Sequence, residues 1–125
     1  MVARSLRAMK FNVSVIFSVL LYGLVTSCGS KPEVESSVQQ LEKAFPNGSA
    51  NPDLQLAIAA ARNSDYVAGV VALSNAKKLP GLSAEQLMAV ERANQSITAE
   101  LTRRADRGDV KARADLLRIE QTRSQ

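Results

Sequence analysis

A short apolar run near the amino terminus separates the chain into two parts of different character. It covers residues 11–25, reads FNVSVIFSVLLYGLV, and is followed by Thr26, Ser27 and Cys28, the only cysteine. Three basic residues precede the run, and no acidic residue occurs before Glu33. A basic head, a short apolar middle and small residues at the exit are typical of an export signal that is removed from the mature protein. The three basic residues are Arg4, Arg7 and Lys10.

Two other interpretations of this run are open. An uncleaved transmembrane anchor needs about 20 consecutive apolar residues, whereas the run has 15 residues, of which Asn12, Ser14 and Ser18 are polar. A buried helix of a globular core carries a polar face, whereas this run is apolar nearly all round. The pattern therefore favours a signal peptide over residues 1–27, and an uncleaved signal anchor in the inner membrane is the alternative.

The end of the run, Leu24-Val25-Thr26-Ser27-Cys28-Gly29, resembles the lipobox of bacterial lipoproteins, in which an apolar residue and small residues precede an invariant cysteine. The resemblance covers the first 29 residues. It implies cleavage before Cys28 and acylation of both its thiol and its new amino group, for example with palmitate. Anchoring becomes durable when more than one acyl chain inserts into the membrane. In this family an aspartate after the cysteine favours the inner membrane, so Gly29 implies an outer-membrane anchor and a domain that faces the periplasm.

The part that remains after cleavage is small and almost neutral. From Cys28 onward it has 98 of the 125 residues, which corresponds to one small domain. Cleavage before Cys28 would remove three of the 16 basic residues and none of the 12 acidic ones. The net charge of the chain would then fall from +4 to +1. A near-neutral domain gives no reason to expect nucleic acid binding. We expect a lipidated cysteine and tether over residues 28–35 and a helical domain over residues 36–125.

Helical periodicity predicts an all-α fold for this domain. Val34, Val38, Leu41 and Phe45 are spaced by four, three and four residues, which forms one stripe of a first short helix. No β-branched alternation appears after residue 28, so no sheet is expected. The sequence predicts a small bundle of helical hairpins that contains four to five helices.

Capping residues predict where the other helices begin. Asn51 precedes Pro52, a favoured pair for an N-cap and a first helical position. Ser83 and Gln86 form a capping box that opens the longest helix, which is expected to end before Gly108. The predicted core faces are Leu54, Ala57, Ile58 and Ala61 in the second helix, Tyr66, Val70 and Leu73 in the third, and Val110, Ala114 and Leu117 beside Leu116 and Ile119 in the last.

The segment 64–68 is echoed 44 positions later by the segment 108–112, since both read small-Asp-apolar-x-Ala. Leu73 and Leu117 also align at this offset. The first helix pair, residues 52–80, resembles a tetratricopeptide hairpin, whereas the first helix of the second pair is too long for that repeat. The alternative is two helical hairpins that share only their cap chemistry. The matching residues are Leu56 and Ala57 in the first helix, Asp65 and Tyr66 in the turn, and Gly69, Leu73 and Ala76 in the second helix.

The residue inventory removes most catalytic chemistry. The chain has no histidine and one cysteine, so Ser-His-Asp and Cys-His catalysis and Cys/His zinc sites are not expected. Ser74 and Lys77 have the Ser-x-x-Lys spacing of penicillin-binding enzymes, but the companion motifs are absent, which favours an exposed helix end. We expect no enzyme, no cofactor, no metal and no small-molecule substrate.

A stripe on the longest helix predicts a protein interface. Leu87, Val90, Asn94, Ile97 and Leu101 are spaced by three and four residues, with a polar residue in the middle of the apolar seam. In coiled coils such a polar residue selects register and partner number. The alternative is an asparagine at the edge of the face that bonds to a neighbour or to water. We predict that this stripe, together with Tyr66, contacts a protein partner or a second copy of the chain.

The run from Arg103 to Arg123 contains seven basic and four acidic residues. It suits contact with phospholipid headgroups or an acidic partner, and equally a solvent face laced by ion pairs such as Asp109 with Arg113. The expected function is that of a non-catalytic, lipid-anchored envelope lipoprotein that binds another protein. A structural role at the membrane surface is the alternative.

Overall fold

The computed structural model of the protein describes residues 31–48 and 51–125, and all the regular elements in these ranges are α-helices or short helical turns. The prediction of an all-α bundle with four to five helices is confirmed. The predicted signal peptide and Cys28 lie outside the described residues. The five helices are α1 (Lys31–Ala44), α2 (Pro52–Arg62), α3 (Tyr66–Ala76), α4 (Ala84–Asp106) and α5 (Val110–Arg123).

Helix α1 begins inside the segment predicted to be a tether. The prediction placed the tether over residues 28–35, whereas α1 starts at Lys31. Pro32 is tolerated at this point because the first backbone N–H groups of a helix have no intrahelical partner. Val34 is only 4% exposed, so the first turns of α1 belong to the packed domain. The boundary at residue 36 was therefore wrong by about one and a half helical turns.

Helix α4 is the central element of the bundle and packs against α1, α3 and α5. The end of α1 lies beside the start of α4, because the Gln86 side-chain amide donates to the Ala44 carbonyl at 3.2 Å. The start of α1 lies beside the end of α4, where Arg103 and Glu33 form an ion pair at 3.2 Å. These two contacts show that α1 and α4 run antiparallel.

Helices α2 and α3 form a close hairpin because small side chains line their contact. A Cβ atom added at Gly69 would lie 3.5 Å from Ile97 Cδ1 and 3.8 Å from Ala60 Cβ, so the backbone of α3 passes close to both neighbouring helices. The predicted core face of α2 is confirmed, with Ile58 partly buried and the other three residues buried. The buried small residues of this hairpin are Ala57, Ala60, Ala61, Gly69, Ala72 and Ala76.

The echoed segments form the same turn twice. Ser64 has a φ of 60° and Gly108 a φ of 94°, and in both turns the next residue donates its N–H to the carbonyl five residues earlier, at 2.9 Å and 3.0 Å. Asp65 and Asp109 then each cap a helix by accepting the N–H three residues on. The shared cap chemistry is thus confirmed. Leu73 and Leu117 differ, since the first is 1% and the second 61% exposed.

The prediction for the core face of α5 was confirmed for Leu116 and Ile119 and wrong for the other three residues. Val110 is 77% exposed, and Ala114 and Leu117 also lie on the outside. Helix α5 packs on both α3 and α4 with the row that contains Ala112 and Ile119, each 2% exposed. Each row contains an alanine, and the row that faces the other helices combines Ala112 and Ile119 with the buried Asp115.

Candidate functional site

The predicted α4 interface lies mainly inside the bundle. Val90, Ile97, Leu101 and Tyr66 are 1–3% exposed because α4 packs against α1 and α3 with this stripe. In the folded monomer these four side chains are not available to a partner, which corrects the interface prediction. Leu87 is 37% exposed at the start of α4 and is accessible. Apolar periodicity identified the stripe correctly, but it does not distinguish a core from an interface.

Asn94 lies in the same stripe and is partly exposed as a residue. Its side-chain oxygen Oδ1 is buried and accepts no hydrogen bond within the described part of the chain. The Thr98 hydroxyl, one turn later, donates to the backbone carbonyl of Asn94 at 2.9 Å, so it does not serve the amide oxygen. Asn94 is therefore a polar residue with an unpaired acceptor at the edge of the core.

An open groove with a mainly apolar lining lies between α1 and α2, and we call it the α1–α2 groove. Its volume is about 550 Å³. Leu41 and Leu54 form its floor, and the partly buried Phe45 and Ile58 form its walls. The exposed Ala59 lies on its rim. The apolar stripes predicted from the sequence contain the floor and wall residues of the groove. They do not predict the gap between the two helices, because the gap depends on how closely the helices pack.

An ion-pair group closes one end of the α1–α2 groove. Arg62 at the end of α2 contacts Glu42 at 3.1 Å and Glu35 at 3.6 Å, so it links α2 to two residues of α1 that lie about two turns apart. At the other end, Phe45 and Leu54 also border a second depression of about 540 Å³ beside the α3–α4 connection. The apolar surface thus continues around the end of the bundle, while its charged residues are confined to the Arg62 end.

A buried carboxylate lies near the start of α1, at the end of the bundle away from Phe45. The Glu100 side chain is 3% exposed and contacts Arg104 Nε at 2.7 Å and Arg103 at 3.1 Å. The Arg104 guanidinium also lies 5.2 Å from the centre of the Tyr66 ring. The hydrogen bond to Glu100 raises the pKa of Arg104 most, and Tyr66 and nearby acids raise it further, against the lowering effect of burial. The Glu-x-x-Arg-Arg spacing signalled this cluster, which sequence reasoning missed.

Contacts within and between the helices account for the other chemical candidates. Ser74 donates its hydroxyl to the Val70 carbonyl at 2.9 Å, and Lys77 pairs with Glu91 at 3.2 Å, so each has a different partner. Arg113 donates to the Ala105 carbonyl at 3.2 Å, while Asp109 caps α5. The Asp109–Arg113 pair was therefore wrongly predicted, because both side chains serve helix ends.

Among the residues that the structure describes, no group of three or more acidic, histidine or cysteine side chains is placed to hold a metal ion. Across residues 31–48 and 51–125, none of the helices has the length and apolar character needed to cross a membrane. The chain matches no protein-family model, no curated protein and no solved structure.

Proposed function

We propose that this protein is a lipid-anchored envelope lipoprotein that binds a partner protein in the α1–α2 groove and catalyses no reaction. The anchor is Cys28, in keeping with the lipobox resemblance and the export pattern of residues 1–27. We assign partner binding to the groove and not to the α4 stripe, because Val90, Ile97 and Leu101 of the stripe are buried in the monomer.

The α1–α2 groove is the observation that carries this proposal. Its walls, Phe45 and Ile58, are apolar and only partly buried, so a partner that covers them removes further apolar surface from water. The fitting partner segment is an amphipathic helix whose apolar side chains recur every three or four residues. The Arg62–Glu42 pair at one end suits a polar or charged residue at the end of that segment.

The binding test uses a photoreactive amino acid at the rim position Ala59 of the full chain in its native cell envelope. We expect one discrete crosslinked protein from this position, and none from Ala99, an exposed alanine of α4. With the captured partner purified, Ala59→Glu should weaken binding by about tenfold or more because it places a charge over the apolar groove.

Ala99→Glu is the matched control and should leave the affinity unchanged. Both substitutions place a glutamate within one turn of an arginine, Arg62 in one case and Arg103 in the other. Equal capture from both positions, or equal loss of affinity in both variants, would refute the proposal that the groove is the binding site.

The anchor has a separate test, so its failure is distinguishable from failure of the groove. Intact-mass measurement of the membrane-extracted protein should show a chain that starts at Cys28 and carries acyl chains. Cys28→Ser should abolish that modification. An unmodified, full-length wild-type chain would refute the lipoprotein proposal while leaving the crosslinking result interpretable.

A further inference from the structure

Helix α5 carries an apolar row on its outer side, which we call the outer row of α5. It consists of Val110, Ala114 and Leu117, which are separated by four and three residues and therefore lie on one line along the helix. Val110 is 77% and Leu117 is 61% exposed. A surface helix usually has one apolar side, whereas α5 has this row in addition to the side that faces the core. Nothing in the described part of the chain covers it.

Basic side chains flank the outer row. By the helical period, Arg113 lies on one side of it and Lys111 and Arg118 lie on the other. The Lys111 side chain is 77% and the Arg118 side chain 70% exposed, so both reach solvent. Their nearest acid, Asp115, has a side chain only 6% exposed and lies beneath them. Asp115 pairs with Lys111 at 2.7 Å and with Arg118 at 3.9 Å, and Glu120 is exposed on the Arg113 side. Since α5 has four basic and two acidic residues, the surface around the outer row keeps a net positive charge.

The charge distribution of the domain agrees with this local picture. Residues 103–125 contain seven basic and four acidic residues, whereas residues 31–102 contain six basic and eight acidic ones. The positive charge of the near-neutral domain thus lies at the end of α4 and in α5, and Glu100 offsets part of it through its pairs with Arg103 and Arg104. An exposed apolar strip with lysine and arginine on both sides is the pattern of helices that lie in the headgroup layer of anionic membranes.

The position of α5 in the bundle is compatible with that contact. The Arg103–Glu33 pair places the α4–α5 turn beside the first turns of α1, where the chain enters the domain. Phe45 and the mouth of the α1–α2 groove lie at the far end of α1, about 20 Å away along a helix of 14 residues. Val110, the first residue of the outer row, therefore lies at the end of the bundle opposite this mouth.

We propose that the outer row of α5 and its basic flanks bind the anionic phospholipid surface of a membrane and orient the domain on it. This contact goes beyond the proposed partner binding and requires no partner in the groove. Apolar side chains enter the headgroup boundary while the flanking cations attract the lipid phosphates, so the contact depends on lipid charge and on salt.

The chain contains no tryptophan, so Leu117→Trp provides a single fluorescent reporter within the outer row. The full chain is reconstituted into vesicles of brominated phosphatidylcholine, with or without phosphatidylglycerol. We expect the indole emission to be about twofold lower in anionic than in zwitterionic vesicles, and the difference to disappear at high salt. Arg113→Gln with Arg118→Gln in the same background should remove most of the difference.

The matched control is Leu56→Trp, at an apolar position of α2 that is 53% exposed and lies outside the outer row. Its emission should be the same in both vesicle types, and circular dichroism verifies the helical content of every variant. Absence of quenching at position 117, equal quenching in both vesicle types, or a concentration-dependent blue shift in detergent without vesicles would each overturn the proposal. The last result would identify a second copy of the chain as the occupant.

Discussion

Glu100 makes its two arginine partners unequal in importance. Arg104 donates to Glu100 at 2.7 Å, contacts the Tyr66 ring and has a side chain 30% exposed, whereas Arg103 is 38% exposed and also pairs with Glu33 near solvent. Since a buried carboxylate that loses a partner retains its desolvation cost, the stability of this end of the bundle depends on at least one arginine remaining.

We predict that Arg104→Met lowers the free energy of unfolding by about 2 kcal/mol, the typical value of a hydrogen bond to a charged group. The pKa of Arg104 is raised in the folded state, so its contribution is complete below the unfolded-state pKa and is lost only in strongly alkaline solution. The deficit measured by urea unfolding should therefore be equal at pH 6 and pH 8.

Two companion variants serve as references for this prediction. Arg107→Met, at an exposed residue that bonds only to a carbonyl of its own helix, should change stability by less than about 0.5 kcal/mol. Adding Arg103→Met to Arg104→Met should cost about 1 kcal/mol more than the sum of the single losses, because Glu100 then loses both arginine partners. Strict additivity would show that the cluster is not a unit.

Substitution of Asn94 is predicted to raise the free energy of unfolding, whereas substitution of Arg104 lowers it. Its buried Oδ1 accepts no hydrogen bond from the described residues, and asparagine is a weaker helix former than alanine. We expect Asn94→Ala to raise the free energy of unfolding by about 1 kcal/mol, because an unsatisfied buried acceptor is removed. Gln95→Ala, at the exposed neighbour, is the control. A loss of stability at position 94 would mean that the amide is satisfied in solution.

At the scale of the elements, two similar turns have different residues at the position of positive φ. Ser64 and Gly108 both have positive φ and both precede a capping aspartate. The left-handed conformation costs an L-residue about 1–2 kcal/mol, and glycine adopts it without that cost. The α2–α3 turn therefore stores strain that the α4–α5 turn avoids.

We predict that Ser64→Gly raises the free energy of unfolding by about 1 kcal/mol and that Gly108→Ser lowers it by a similar amount. Thermal unfolding of the two variants and of their combination measures both effects, and the combination should return close to the wild-type value. Gly69→Ala is a useful comparison, since the added Cβ would make only ordinary contacts and its φ is helical. Two changes of the same sign in the turns would contradict the proposed equivalence.

At the scale of the whole molecule, the start of α1 decides how the domain joins the chain before it. Val34 is buried, and Glu33 and Glu35 contact Arg103 and Arg62 of other helices. A lipid on Cys28 would then be separated from α1 by two residues, a reach of about 10 Å for an extended chain. The domain would lie close to the membrane rather than at the end of a long tether.

The test is Val34→Ala, which should lower the free energy of unfolding by about 2 kcal/mol because buried methyl groups are lost. Ser36→Ala, at an exposed position of the same helix, should have little effect. Chemical unfolding of both variants in detergent measures the difference. If Val34→Ala is neutral, residues 31–35 are a tether as the sequence predicted, and the close placement is excluded.

Most helix boundaries followed from the sequence because their causes are local. The Ser83–Gln86 capping box and the Asn51 cap use hydrogen bonds between groups at most three residues apart, so residue type and spacing are sufficient to predict them. The apolar stripes were also recognised. The predicted start of α1 was wrong because it also used local signals alone. Gly, Ser and Pro before Val34 favour a tether when no packing partner is known.

What the sequence alone determined is that the domain is helical, where α2 and α4 begin, that α4 ends before Gly108, and which side chains form apolar rows. Only the tertiary structure decided which row each helix buries, because that depends on neighbours distant in the chain. In helix α5 the row that contains Ala112 is buried, whereas the row that contains Leu117 is exposed. The stripe of α4 became core, and the incomplete contact of α1 with α2 became the groove, since packing between helices is a property of pairs of surfaces.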